Sequence, residues 1–403
     1  QVQMILPLMN GERTLEEIVS AVGRGLTREA MESIVAQLDH AGLLIGPTFD
    51  AILAKMRQDF DSSTTLPPAS TANMADQLVA LEFAQKAQAE GRQPMPPTEE
   101  QKAELGPARL KAAMDAWIAK ALENAENPAF DELPKAVVAP HIDYGRGWIN
   151  YAHVWGRLRV ADRPDRVIIL GTNHFGTGTG VVGCDKGFAS PLGACEPDTQ
   201  LIDALRARLG PQNAELLFKD RYDHEREHSI ELQIPWIQHC LGAGDDGKFP
   251  RVFGALIHDP TVNNGESYDG KGLALDPFVD ALREVVGSLP GRTLIVSSAD
   301  LSHAGPAFGD QQPLAGEGQQ AEQARTRVFE HDREMLELVN QLKVDDLLAS
   351  MSWQQNPTRW CSIGNIVAAV RVAQPSEAEL LNYSAAMDEQ GLGLVSSAAM
   401  AMR

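Results

Sequence analysis

The sequence is poor in cysteine and in positive charge, and it lacks any long apolar run. Four cysteines in 403 residues (Cys184, Cys195, Cys240 and Cys361) are too few for a disulfide-stapled scaffold, so reduced thiols are expected. Lys plus Arg number 35 against 55 Asp plus Glu, giving a formal charge of −20. Nucleic acids and anionic membranes both recruit Lys and Arg, so neither is an expected partner. No apolar stretch approaches the length that crosses a bilayer, and no signal-peptide pattern opens the chain. A cytoplasmic setting is the expectation. What is present, 43% hydrophobic and 22% charged residues, is an ordinary globular balance that can fill two or three domains.

Three regions differ in texture. Residues 1–50 read as short helices opened by Thr14 and Thr27, each a good N-cap, with Met31, Ile34, Val35 and Leu38 at helical spacing. Gly42-Leu-Leu-Ile-Gly46 then reads as a short strand, so helix–helix–strand outlines a small winged-helix-like domain. Residues 51–130 are a polar stretch followed by Ala-rich helical sequence, the pattern of a linker or an arm. Residues 131–403 carry short apolar runs at 136–139, 167–170, 252–257 and 293–296, with helix-like segments between them. That alternation predicts an α/β domain with a largely parallel sheet flanked by helices. Two apolar segments around Asp388-Glu-Gln-Gly391 predict an antiparallel hairpin near the end, which makes the sheet mixed.

Ligands of open α/β sheets bind beyond the carboxyl ends of the strands. Three of those ends carry a histidine followed closely by glycine: His141, His174 and His303. A charged segment, Asp223 to Ser229, runs into a helix and could bring Glu227, His228 and Ser229 to the same cleft. Cys361 precedes the apolar helix 366–372, where the helix dipole favours a thiolate suited to metal ligation or nucleophilic attack. His141, His174 and Cys361 together offer two imidazoles and a thiolate, an inventory that suits Fe(II), Cu or Zn. His303 and His228 are then candidates for proton transfer, and Asp143, Asp300 and Glu227 are candidates to orient the imidazoles.

Five segments in this order, APHIDYGRG, ILGTNHFG, EHSIELQIPW, SSADLSHAG and RWCSIGN, resemble the Memo-like family, whose bacterial members are often called AmmeMemoRadiSam system protein B. The resemblance spans roughly residues 135–403. It implies the fold of the LigB-type, class III extradiol dioxygenases, with His141, His174 and Cys361 as metal ligands. It also implies His303 beside the metal as acid/base, and Glu227 and His228 lining the cleft as catalytic residues. Cysteine stands where the dioxygenases use a carboxylate, so catechol cleavage is not implied. Ile142-Asp143 follows the first histidine where many relatives read Gly or Ala-Gly, which narrows the pocket and adds a charge. The segments MNGERTLEEIV and LTREAMESIVAQLDHAGLL are similar to PqqD-like domains, which hold leader peptides in peptide-modification systems.

These readings converge on a non-haem iron oxidoreductase that activates dioxygen, with a small-molecule or peptide substrate. A leader peptide or protein partner would dock on the N-terminal domain. The alternatives are a Zn-dependent hydrolase, with Glu227 or His303 as base, and a non-enzymatic metal-binding adaptor.

Overall fold

The computed structural model describes residues 2–403 and divides the chain into two compact units, Gln1–Ser63 and Thr64–Arg403. In the first, Thr14 forms a reciprocal capping box with Glu17 and starts the helix Leu15–Val22. Thr27 accepts from the Ala30 amide and starts Arg28–His40. Ile5, Ile18, Val22, Leu26 and Met31 make the small core, and Pro47–Ser62 continues the helical chain. The strand expected at 42–46 is instead a run of turns. Leu43 and Ile45 are 69% and 95% exposed, so this apolar run faces no core that would hold it extended. The unit is helical, and the wing of the winged-helix outline is missing among its described residues.

The second unit begins with strand β1 (Thr65–Leu66) and two long helices, Ser70–Ala89 and Glu99–Leu122. The strands that follow are β2 (Ala136–Ala139), β3 (Arg166–Thr172), β4 (Val182–Gly183), β5 (Gly187–Ser190), β6 (Gly193–Cys195), β7 (Arg251–Ile257), β8 (Thr293–Ser298), β9 (Asp300–Ala304), β10 (Ala378–Met387) and β11 (Leu394–Met402). The main sheet runs β10-β11-β2-β8-β3-β7-β4, with β9 also paired to β11, and β1-β5-β6 form a smaller sheet. Its four central strands β2, β8, β3 and β7 are mutually parallel and buried along nearly their whole length. This burial explains why they appear in the sequence as unbroken apolar runs. The expected hairpin is β10–β11, antiparallel to β2.

Alternate residues of the central strands, among them Val138, Ile168, Leu170, Phe253 and Ala255, share a core with the helices Thr199–Phe218, Leu275–Ser288 and Ile363–Ala373. Helix Tyr144–Leu158 packs on β2, β10 and β11 and is itself covered by Glu99–Leu122. Trp236 stacks on Tyr151 at 5.6 Å, and Trp117 adds a third ring to this layer. The strand ends are level: Ala139 pairs with Ser298, Leu170 with Ser297, and Thr172 with Ile257. Residues two positions beyond them therefore meet on one edge.

His224, in the turn Arg221–Glu225, is 2% exposed and its Nε2 lies 3.1 Å from the Val182 carbonyl. Burial pulls its pKa down to about 4, because a charged ring there would lose its water. Its unfolded value is near 6.5, so the unfolded chain takes up the proton first as pH falls. Stability is therefore full above about pH 6.5 and falls between there and pH 4, by about 3 kcal/mol from this group alone. Denaturant midpoints measured from pH 7 to 4 should show this slope, and His224→Gln should flatten it.

Candidate metal centre

His141, His174 and Cys361 converge: their inward ligand atoms all lie within 4.8 Å of one another. Each is delivered by a different element. His141 follows β2 by two residues and is 1% exposed. Its Nδ1 is 3.0 Å from the Ser298 carbonyl, so Nδ1 carries the proton and donates it there. Nε2 thereby points inward, 3.3 Å from the Cys361 sulfur. His174 follows β3, and its Nδ1 is 3.0 Å from Glu227 Oε1. Both rings thus have the outer nitrogen anchored and the inner nitrogen turned toward the sulfur, where a metal can take the place of a proton.

Cys361 sits one residue before the N-cap of Ile363–Ala373. The turn that presents it holds Gln355, Asn356 and Arg359 with φ of 58°, 46° and 58°, three left-handed non-glycine residues in five positions. Such backbone persists only where contacts over-determine it. Here the Asn356 side chain bonds both the amide and the carbonyl of Trp360. The Arg359 guanidinium donates to the His303 carbonyl and pairs with Asp310. Gly364, the second residue of the helix, packs so tightly that a Cβ would lie 2.4 Å from the His258 carbonyl.

The charges are strongly coupled. Burial alone would raise the Cys361 thiol, but His141 and His174 hold it well below its ordinary value, so a thiolate is the resting form. Burial lowers His174, yet its bonds to Cys361 and Glu227 raise it to about 10. His141 is raised in the same way, with Asp300 and Cys361 outweighing burial. Without metal, the thiolate draws a proton onto the inner nitrogen of His174 and pulls His141 in the same direction. A cation that replaces such protons keeps the charge balance, which is the donor chemistry of a metal site.

The expected neighbours divide into those at the centre and those that support it. His303, on β9, borders the cavity, and its Nδ1 donates to the carbonyls of Leu301 and Arg359. His228 stacks on His174 with ring centroids 4.8 Å apart, and burial lowers it to about 4, leaving a neutral ring at pH 7. Glu227 is not a free cleft residue. It is buried, and its carboxylate accepts from the His174 amide, His174 Nδ1 and the Ser229 amide. Burial opposes its ionisation, but those bonds win and hold it at about 2. Its role is to position His174.

Glu227→Gln would turn an amide NH₂ toward one of those donors, and metal affinity should fall ~10–100-fold. Competition with a chromogenic chelator reads the loss, and an unchanged far-UV circular dichroism spectrum separates it from unfolding.

One expectation about the acids needs correction. Asp143 orients no imidazole. It caps helix Tyr144–Leu158 through the Arg146 amide, and its side chain pairs with Arg146 at 2.6 Å. Asp300 holds His141 through the backbone amide at 2.9 Å, and its other oxygen lies 3.7 Å from Nε2, on the inner side of the ring.

Several supports were not anticipated. Asp223 accepts from Asn173, Thr177 and Gly178 and so fixes the loop that carries His174. Gln233 bridges the Pro140 carbonyl and Ser298. Asn365 holds Thr172 and the Ser298 carbonyl. Asp332, fully buried in helix Gln319–Asn340, accepts from Ser302, Trp360, Tyr383 and Ser396. Ser302 and Trp360 immediately precede His303 and Cys361 in sequence. The first four motif segments and RWCSIGN hinted at the ligands, but these supports could be seen only in three dimensions.

The centre opens into a cavity of about 770 Å³. His141, His174, His228, Asp300 and His303 line its inner part, and Asp143 and Arg146 lie on its border. Among the described residues, no helix is long and apolar enough to cross a membrane.

The model of the Memo-like protein family matches residues 104–401. A MEMO1 family protein of Methanopyrus kandleri is 27% identical over 259 residues, covering 63% of this chain and 77% of the relative. One from Desulfurococcus amylolyticus is 30% identical over 206 residues, covering 50% and 65%. One from Thermococcus onnurineus is 26% identical over 259 residues, covering 63% and 80%. The family match covers well over half of the sequence and takes in every residue of the His141/His174/Cys361 centre. The chain belongs to the Memo-like family.

Proposed function

We propose that the larger unit is a metal-dependent oxidoreductase of the non-haem iron type, with Fe(II) held by His141, His174 and Cys361. The observation that carries this reading is the donor set itself: two imidazole nitrogens and one anionic donor within 4.8 Å of one another, with both histidines lining a cavity. It parallels the two-histidine, one-carboxylate arrangement of non-haem iron oxygenases, with sulfur as the anion. Bound Fe(II) supplies reactivity toward dioxygen that no amino-acid side chain possesses.

The chain's own residues do the rest. His303 keeps its Nδ1 on backbone carbonyls and has Nε2 to exchange protons with a substrate in the cavity. His228, neutral at pH 7, accepts a hydrogen bond without adding charge. Phe308 packs edge-on to His303 at 5.0 Å and restricts water on that side. A hydrolase reading is less well supported, because Glu227, its first candidate base, is committed to three N–H groups of the scaffold.

Anaerobic titration with Fe(II), then oxygen uptake with peptide and phenolic substrates, tests the reading. One Fe(II) per chain and substrate-stimulated uptake that drops in His303→Gln are expected. Failure to hold Fe(II), or oxygen-independent hydrolysis with Zn(II), would overturn it.

A further inference from the structure

The cavity has a wall that the family domain does not supply. Ser70, Asn73, Met74 and Gln77 border it, at the i, i+3, i+4, i+7 spacing of a single helix face. All four belong to Ser70–Ala89, which lies before the family match at 104–401. The opposite face of this helix, Thr71, Ala75 and Val79, is buried and fixes its rotation.

Its start is fixed too. Glu231 accepts from the amides of Ala69, Ser70 and Thr71 at 2.9, 3.2 and 2.8 Å, and from the Thr71 hydroxyl at 2.7 Å. Glu231 ends the short helix His228–Glu231, which Glu227 caps. The wall and the imidazole support are therefore mounted on the same five residues.

We propose that this helix is a specificity element of the site, with Asn73 and Gln77 reading a neutral hydrogen-bonding group of the carboxamide type. That group lies at the far end of a substrate whose other end sits among His141, His174 and Cys361. The proposal rests on the metal-centre reading above. Both side chains are exposed, and neither amide is hydrogen-bonded to another described residue. A side-chain amide offers a donor and an acceptor together, the complement of another amide. The helix contributes no charge to the cavity border, and Arg146 across from it is neutralised by Asp143 at 2.6 Å. An ionic tail would thus gain no counter-charge from this wall. His141, His174 and this wall line one cavity of about 770 Å³, within the range of small-molecule sites.

Alkyl hydroxamates of graded length provide the test, because the hydroxamate head binds metal and the tail can end in carboxamide, carboxylate or ammonium. Binding is read on Co(II)-loaded full-length protein from the thiolate-to-cobalt absorption band. At the best tail length the carboxamide should bind about tenfold more tightly than either charged tail, the scale of one or two hydrogen bonds. In Asn73→Ala/Gln77→Ala that preference should shrink to about twofold or less. Cobalt stoichiometry and acetohydroxamate affinity should not change, since both substitutions are on an exposed face. No preference in the unmodified protein, or a preference that survives the double substitution, would overturn the wall's role while leaving the metal reading intact. Absence of the thiolate band would overturn the metal reading and this proposal together.

Discussion

Cys361→Ala should abolish tight metal binding. Loss of an outer hydrogen-bond partner typically costs ~10–100-fold in affinity, and removing the one anionic donor should cost more than that. Equilibrium competition against a chelator, with Fe(II) under anaerobic conditions, measures it, and retention of full affinity would show the ligand set to be wrong. The same residue makes a metal-free prediction. His141 and His174 keep Cys361 as a thiolate, whereas burial pushes Cys184 and Cys195 up to about 12 and Cys240 higher still. Iodoacetamide near neutral pH should therefore modify Cys361 selectively, and bound metal should protect it. Peptide mass spectrometry reads both outcomes.

Asp332→Ala should be the most destabilising single change away from the ligands. Its carboxylate is the shared acceptor of three buried donors, Trp360 Nε1 at 2.7 Å and the hydroxyls of Ser302 and Ser396, and of the half-buried Tyr383 hydroxyl at 2.6 Å. Each donor left without a partner costs ~1–3 kcal/mol, and partial relaxation brings the expected total to roughly 4 kcal/mol. Asp332→Asn keeps the volume and some of the bonds, so it should lose less. In that folded variant metal affinity should still drop, because Trp360 and Ser302 are the chain neighbours of Cys361 and His303. Thermal unfolding together with chelator competition separates the two effects. A stable Asp332→Ala with unchanged affinity would show that the network does not hold the centre.

The reasons these effects were visible or hidden in the sequence differ. The four central strands were legible because strands buried on both faces are written as uninterrupted apolar runs. His141, His174 and His303 were legible because they follow those runs, at the edge where α/β sheets place their ligands. Asp332 was not legible, because an acid inside a long helix looks the same whether its face meets water or the core. Glu227 was legible as a group that orients an imidazole, and it does hold His174, whereas nothing local shows that this commitment takes it out of the cleft as a base. Asp143 was taken for an imidazole partner when it caps the next helix. The 42–46 run failed for the opposite reason: it has the residues of a strand but no neighbouring strand to pair with. The wall formed by Ser70–Ala89 depends on Glu231, 160 residues further along, a distance no local pattern spans.

That last attachment has a corollary. The first turn of the Ser70–Ala89 helix is held by one carboxylate that asks only for backbone amides and a hydroxyl. Nothing in that bond depends on the side chains that look into the cavity. Helices of different outward sequence can therefore start at this mount, since it reads only the backbone and one hydroxyl. The same separation offers a route to redesign: residues 73, 74 and 77 are open to substitution without touching a ligand.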